Sequence, residues 1–143
     1  MTDEMVRLRG LVESFYFDVW NRGDEEAALR ILSSDLEFRG STGPTKQGVD
    51  QFLGYVRLIR GALSGYECVI EDTVVEPPKL FAKMLFRGTH AGQFFGVPPT
   101  GRVVTWAGAA LFTVADSRIC RVWVLGDVDG LKQQLALADS VMP

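Results

Sequence analysis

The stretch from Val103 to Asp127, VVTWAGAALFTVADSRICRVWVLGD, decides the fold. Two apolar runs, Val103 to Val114 and Ile119 to Asp127, flank Asp116-Ser117, whose short polar side chains favour a turn. The runs are rich in β-branched and aromatic residues and read as two consecutive strands in the interior of a sheet, buried on both faces. Upstream, Tyr66 to Val75 and Leu80 to His90 alternate around the break Glu76-Pro77-Pro78-Lys79, which predicts a hairpin. The second half of the chain is therefore an antiparallel sheet.

The first half has a different period. Leu8, Leu11, Val12, Phe15, Tyr16, Val19 and Trp20 recur at three- and four-residue intervals, the apolar stripe of an amphipathic helix. In Asn21-Arg22-Gly23-Asp24, the glycine suits a left-handed helix end and the aspartate can N-cap a second, short helix that buries Ala27, Ala28, Ile31 and Leu32. A brief strand follows at Leu36 to Arg39, and a third helix carries Val49, Phe52, Leu53, Val56, Ile59 and Leu63. Between them, the spacing of Gly40-Ser41-Thr42-Gly43-Pro44 and Lys46 fits neither a Walker-type loop nor a dinucleotide fingerprint. Helices first and strands afterwards define one α+β domain over residues 1–143.

Composition narrows the function. Hydrophobic residues at 47% and charged residues at 23% describe a packed globule. The 15 basic and 18 acidic side chains are spread along the chain for a net charge of -3, leaving no basic stripe for nucleic acid. Apolar runs are strand-sized, which argues against a membrane helix, and the acidic start Met1-Thr2-Asp3-Glu4 is unlike a signal peptide, so a cytoplasmic protein is expected. Cys68 and Cys120 lack metal or redox spacing, and His90 is the single histidine, so neither metal nor other cofactor is expected.

A twisted sheet covered on one face by helices can enclose an apolar cavity. Along the strand from Leu80, the residues Ala82, Met84, Phe86, Gly88 and His90 share one face, so His90 ends an inward row. Trp123, Leu125 and Asp127 share a face in the same way and are read as a second inward row. Tyr16, Trp20, Phe86, Trp106 and Trp123 are the expected pocket walls, and His90 with Asp127 the expected acid/base pair. Each of the pair has a second reading: His90 can hydrogen-bond the backbone of the Gly/Pro-rich loop that follows it, and Asp127 can N-cap the segment Gly130 to Leu137.

Phe15-Tyr16 with Trp20-Asn21-Arg22-Gly23-Asp24, the run Gly88-Thr89-His90-Ala91-Gly92-Gln93-Phe94-Phe95-Gly96-Val97-Pro98-Pro99-Thr100-Gly101-Arg102, then Trp123-Val124-Leu125-Gly126-Asp127 and Gln133-Gln134-Leu135 resemble the SnoaL-like polyketide cyclases through almost the whole chain. The resemblance implies the cone-shaped fold of the nuclear transport factor 2-like superfamily, with N-terminal helices packed in a curved, mostly antiparallel sheet. It also implies a small-molecule pocket and, usually, a dimer. Members that close rings by aldol chemistry use an aspartate in a His-x-Asp-Trp run of the last strand. That aspartate falls on Val124 here, and a second family histidine falls on Ala110. The expected function is a cofactor-independent cyclase, or a related metal-free isomerase or hydrolase, acting on a hydrophobic oxygenated substrate. The alternative is a non-catalytic small-molecule-binding or dimerisation module of the same fold. A homodimer is also expected from the residues, because helices can cover only one face of a sheet whose central strands are apolar on both.

Overall fold

The computed structural model describes residues 2–140. The Thr2 hydroxyl accepts the Met5 backbone N–H at 3.2 Å and starts α1 (Asp3–Ser14), which buries Leu8 and Val12. The same stripe runs on into Phe15–Trp20, but this turn widens to π-helical spacing, with the Asn21 N–H donating to the Tyr16 carbonyl at 2.8 Å. At that spacing Phe15, Tyr16, Val19 and Trp20 crowd onto one arc, and all four are buried. Gly23 then takes φ +69°, and the Asp24 carboxylate accepts the Ala27 N–H at 3.1 Å to begin α2 (Glu25–Ile31).

The remaining elements are β1 (Leu32–Arg39), β2 (Lys46–Gln47), α3 (Gly48–Ala62), β3 (Leu63–Glu76), β4 (Lys79–His90), β5 (Val103–Ala115), β6 (Arg118–Gly126) and α4 (Val128–Ser140). The strands form one sheet in the order β2-β1-β6-β5-β4-β3, antiparallel except where β1 runs parallel to β6. This is the expected α+β fold, a curved and unclosed sheet with the helices on its concave side.

Two side-chain amides attach the helices to the sheet. Asn21 donates from Nδ2 to the Cys68 carbonyl at 3.0 Å and accepts the Cys68 N–H on Oδ1 at 2.7 Å, behaving as one residue of an extra strand beside edge strand β3. Gln134 does the same for Thr105, which lies where β5 outruns β6: Oε1 accepts its N–H at 2.9 Å and Nε2 donates to its carbonyl at 2.6 Å. Arg60 of α3 completes the first junction by donating to the carbonyls of Trp20 and Asn21.

Register settles which side chains face the helices. Ala110 pairs with Val124 and Leu111 with Trp123, so the buried pair points inward and the other pair outward. The helices cover one face of these strands, as expected of a single chain. Within this chain the outer face of β4, β5 and β6 leaves Phe81, Val103, Leu111, Trp123 and Leu125 exposed. Among the described residues no helix is long and apolar enough to cross a membrane.

Replacing Asn21 by Ala strands the Cys68 N–H and carbonyl without partners. It is expected to cost about 2–4 kcal/mol of stability, read as a lower urea midpoint at constant m-value. Arg22→Ala, one residue along on the exposed side, is expected to stay within about 0.5 kcal/mol of the parent.

Candidate functional site

Between the helices and the concave face of the sheet lies a narrow, open-mouthed cavity of about 60 Å³. The π-helical turn supplies Tyr16 and Trp20, α3 supplies Tyr55 and Ile59, and the sheet supplies Phe38, Tyr66, Phe86, Trp106 and Val124. The loop after β4 adds Phe94 and Phe95, and α4 adds Val128 and Leu131. Trp20 lies 5.2 Å from Tyr66 between ring centroids, and Phe86 stacks on Trp106 at 5.3 Å.

The titratable side chains of this lining are Tyr16, Tyr55 and Tyr66, all three tyrosines of the protein. Burial raises the pKa of each phenol, because removing water penalises the charged phenolate. For Tyr16 and Tyr66 the nearby Cys68 thiol adds to the effect, and Cys68 is itself pushed well up by burial. The Tyr55 hydroxyl shares a hydrogen bond with Thr42 Oγ1 at 3.2 Å, which opposes its shift in part. The Tyr16 hydroxyl is buried and receives no partner from the protein. The cavity thus offers neutral O–H donors on an aromatic wall. Such a lining can bind and polarise an acceptor oxygen but holds no ready base.

Neither half of the expected acid/base pair lines this cavity. His90 is fully buried at the end of its inward row, and its Nδ1 accepts the Thr100 N–H at 3.2 Å with Thr100 Oγ1 at 3.0 Å. It holds the following loop. Asp127 is exposed, and its Oδ1 accepts the Gly130 N–H at 2.9 Å as the N-cap of α4. The two are also well separated: His90 pairs with Arg102 and Asp127 with Ala107, five residues and roughly 17 Å further along β5. Trp123 is corrected as well. Its face is the outer one, where the ring is 42% exposed and lies 5.2 Å from the Arg39 guanidinium, which also donates to the Val124 carbonyl. Tyr16, Trp20, Phe86 and Trp106 do line the cavity, and Val124 faces into it.

Several lining residues escaped the sequence reading. Tyr55 sits three after Phe52 and four before Ile59, on the stripe that defined α3. Phe94-Phe95 is a pair of large aromatics in a loop otherwise rich in glycine and proline, a composition that signals something to cover. Among the described residues no three His, Cys, Asp or Glu side chains gather as a metal site would require.

The sequence model of the family described as SnoaL-like polyketide cyclase matches residues 10–135. The chain belongs to the SnoaL-like polyketide cyclase family. Among solved structures, a candidate SnoaL-like polyketide cyclase from Jannaschia sp. CCS1 superposes with a TM-score of 0.85 at 19% identity, covering 100% of this chain and 98% of that one. A candidate polyketide cyclase from Bacillus cereus gives 0.70 at 27% identity, covering 94% and 81%. An M. tuberculosis protein described as an LEH-like epoxide hydrolase gives 0.75 at 17% identity, covering 96% and 91%. No match was found among curated proteins. These likenesses give the SnoaL-like chain the nuclear transport factor 2-like fold. Val124 and Ala110, where the sequence resemblance places the family's aspartate and histidine, are cross-strand neighbours.

Because the fold raises all three phenol pKa values, it is stabilised by neutral tyrosines. That stability is fully present below the unfolded-chain value of about 10 and is lost as pH rises from there through the folded values. Spectrophotometric titration is expected to show little tyrosinate at pH about 10 in the folded protein, where the urea-unfolded chain is half ionised. The urea midpoint is expected to fall above that pH.

Proposed function

We propose that this SnoaL-like protein binds a hydrophobic, oxygenated small molecule of polyketide type in the cavity and acts as a cyclase-type enzyme through placement and hydrogen-bond donation. The observation that carries this reading is the aromatic lining whose polar groups include three neutral phenols. In an intramolecular aldol closure, an enolisable carbon loses its proton to solvent and its electron pair forms a bond to a carbonyl carbon. The carbonyl π electrons move to oxygen, which then takes up a proton. Folding a flexible chain so that its ends meet removes much of the entropic barrier, on the order of 7–11 kcal/mol in favourable cases. A phenol O–H aimed at the developing alkoxide lowers the rest. Isomerisation or hydrolysis of a similar substrate makes the same demands on the wall.

A second reading, binding without turnover, is supported by the apolar Val124 and Ala110, onto which the sequence resemblance carries the family's acid/base residues. With a synthetic linear poly-β-ketone, the enzyme reading expects cyclisation above the solution rate. It expects Tyr66→Phe to reduce turnover about tenfold or more, and Asp127→Asn to leave it within about threefold. Ligand quenching of Trp20 and Trp106 fluorescence without turnover selects the binding reading instead. A Val124→Trp variant, which fills the cavity, is expected to abolish quenching under either reading.

Self-association belongs to the same proposal. Phe81, Leu111, Trp123 and Leu125 make an exposed apolar stretch on neighbouring outer-face strands, of the kind a second copy would cover. Sedimentation equilibrium is expected to show twice the 15.8 kDa chain mass, and Leu125→Arg to shift the species toward the monomer. A monomer at micromolar concentration in the parent protein overturns the dimer.

A further inference from the structure

His90 is fully buried, and its ring is spent on a loop rather than on the cavity. Residues 91–102 leave β4, place Phe94 and Phe95 against the cavity, and return to β5. The base of the loop is pinned by backbone: Ala91 and Gly92 donate to the Ala62 carbonyl, His90 N–H to the Arg102 carbonyl, and Gly101 N–H to the His90 carbonyl. Gly92 sits so close to α3 that a Cβ there would lie 2.8 Å from the Gly61 carbonyl oxygen. The tip is held more lightly. Phe94 and Val97 pair with each other, while Phe95 adopts φ +51° and so sits in a backbone region unfavourable for a bulky side chain. Pro98-Pro99 connects the tip to Thr100 as a stiff rod. Thr100 is thus the contact nearest the tip on the returning side of the loop.

We propose that His90 is a pH-sensitive latch: its neutral ring, accepting the Thr100 N–H at Nδ1, holds Phe94 and Phe95 as a wall of the cavity, and protonation of the ring releases them. The hydrogen-bond directions require this sense. A backbone N–H can only donate, so the Nδ1 that faces it must be unprotonated and Nε2 must carry the hydrogen. Nε2 is buried without a partner, so nothing on that side changes when the ring charges. The added proton goes to Nδ1, where Thr100 Oγ1 at 3.0 Å can accept it but the Thr100 N–H loses its acceptor. No charged group compensates. Leu63 faces His90 across the ladder from β3, Arg60 of α3 turns its guanidinium to the carbonyls of Trp20 and Asn21, and Arg102 is exposed. Among the described residues no hydrogen bond or ion pair links a charged side chain to the ring.

The inference rests on the reading of the cavity as a binding site for its consequence, but its mechanism is testable without a ligand. As the sole histidine, His90 gives ring resonances that need no assignment. At neutral pH, nitrogen NMR is expected to show the Nε2–H tautomer. On acidification through the imidazole transition, hydrogen exchange at Thr100 should accelerate while Ala91 and Gly92 stay protected. The opposite tautomer, or a Thr100 amide that stays protected after the ring is charged, overturns the latch. With 2-acetylnaphthalene, a probe that has no titratable group in this range, tryptophan quenching is expected to weaken about tenfold on acidification, the worth of one lost hydrogen bond. His90→Asn keeps an acceptor but cannot titrate, and is expected to bind equally well at both pH values. Equal pH dependence in parent and variant overturns the proposal. If the probe fails to bind at any pH, the cavity reading and the latch's consequence fall together, whereas NMR of the parent protein still decides the latch itself.

Discussion

An open, twisted sheet ends in backbone donors and acceptors that no strand pairs, and this protein depends on how two of those places are filled. Asn21 and Gln134 present side-chain amides where a neighbouring strand would have presented a peptide group, each satisfying one N–H and one carbonyl at once. The two contacts sit on different parts of the sheet and belong to different helical segments, one ahead of the sheet and one behind it. Between them the helices are held at a distance from the concave face that side chains do not wholly fill. The cavity is therefore a product of edge chemistry as much as of hydrophobic burial.

What the cavity can do follows from which polar groups were admitted to it. Phenols keep their protons when water is removed, whereas an aspartate in the same wall would have been forced to choose between an uncomfortable charge and a raised pKa. Val124 faces the lining and Ala110 lies across the ladder from it, so this part of the wall is apolar. The wall is suited to gripping a flat, oxygen-bearing molecule, and any proton removed from carbon has to pass through the molecule itself or through solvent.

The sequence made the elements legible because period is a local property. The stripe ending at Trp20, the Gly23-Asp24 junction and the strand pairs about Glu76-Lys79 and Asp116-Ser117 all appear where their residues place them. The inward row ending at His90 was equally readable. Which face of β6 turns inward was not. Val122 to Leu125 are apolar on both faces, and the one local sign against an inward Trp123 is Arg121, which shares its face and is exposed; pairing with β5 decides that Trp123 and Leu125 look outward. Asp127 went with them, and its capping role depends on a helix start one residue later. The phenols illustrate a further limit: Tyr16, Tyr55 and Tyr66 come from three elements, and nothing local says they meet.

The parallel pairing of β1 with β6 brings Phe38 beside Val122, residues roughly eighty positions apart in the chain. Phe38 and Val124, on these two strands, line the same cavity. A contact between such distant segments carries a large loop-closure cost and belongs late in folding, after the hairpin of β3 and β4 and the helices have formed from nearby residues. During synthesis the concave surface therefore stays unfinished until β6 has emerged, and α4 can dock onto Thr105 only after that. A nascent chain halted before β6 would carry its tyrosines on an open, water-washed surface, so the environment that raises their pKa values is assembled only once β6 and α4 have emerged.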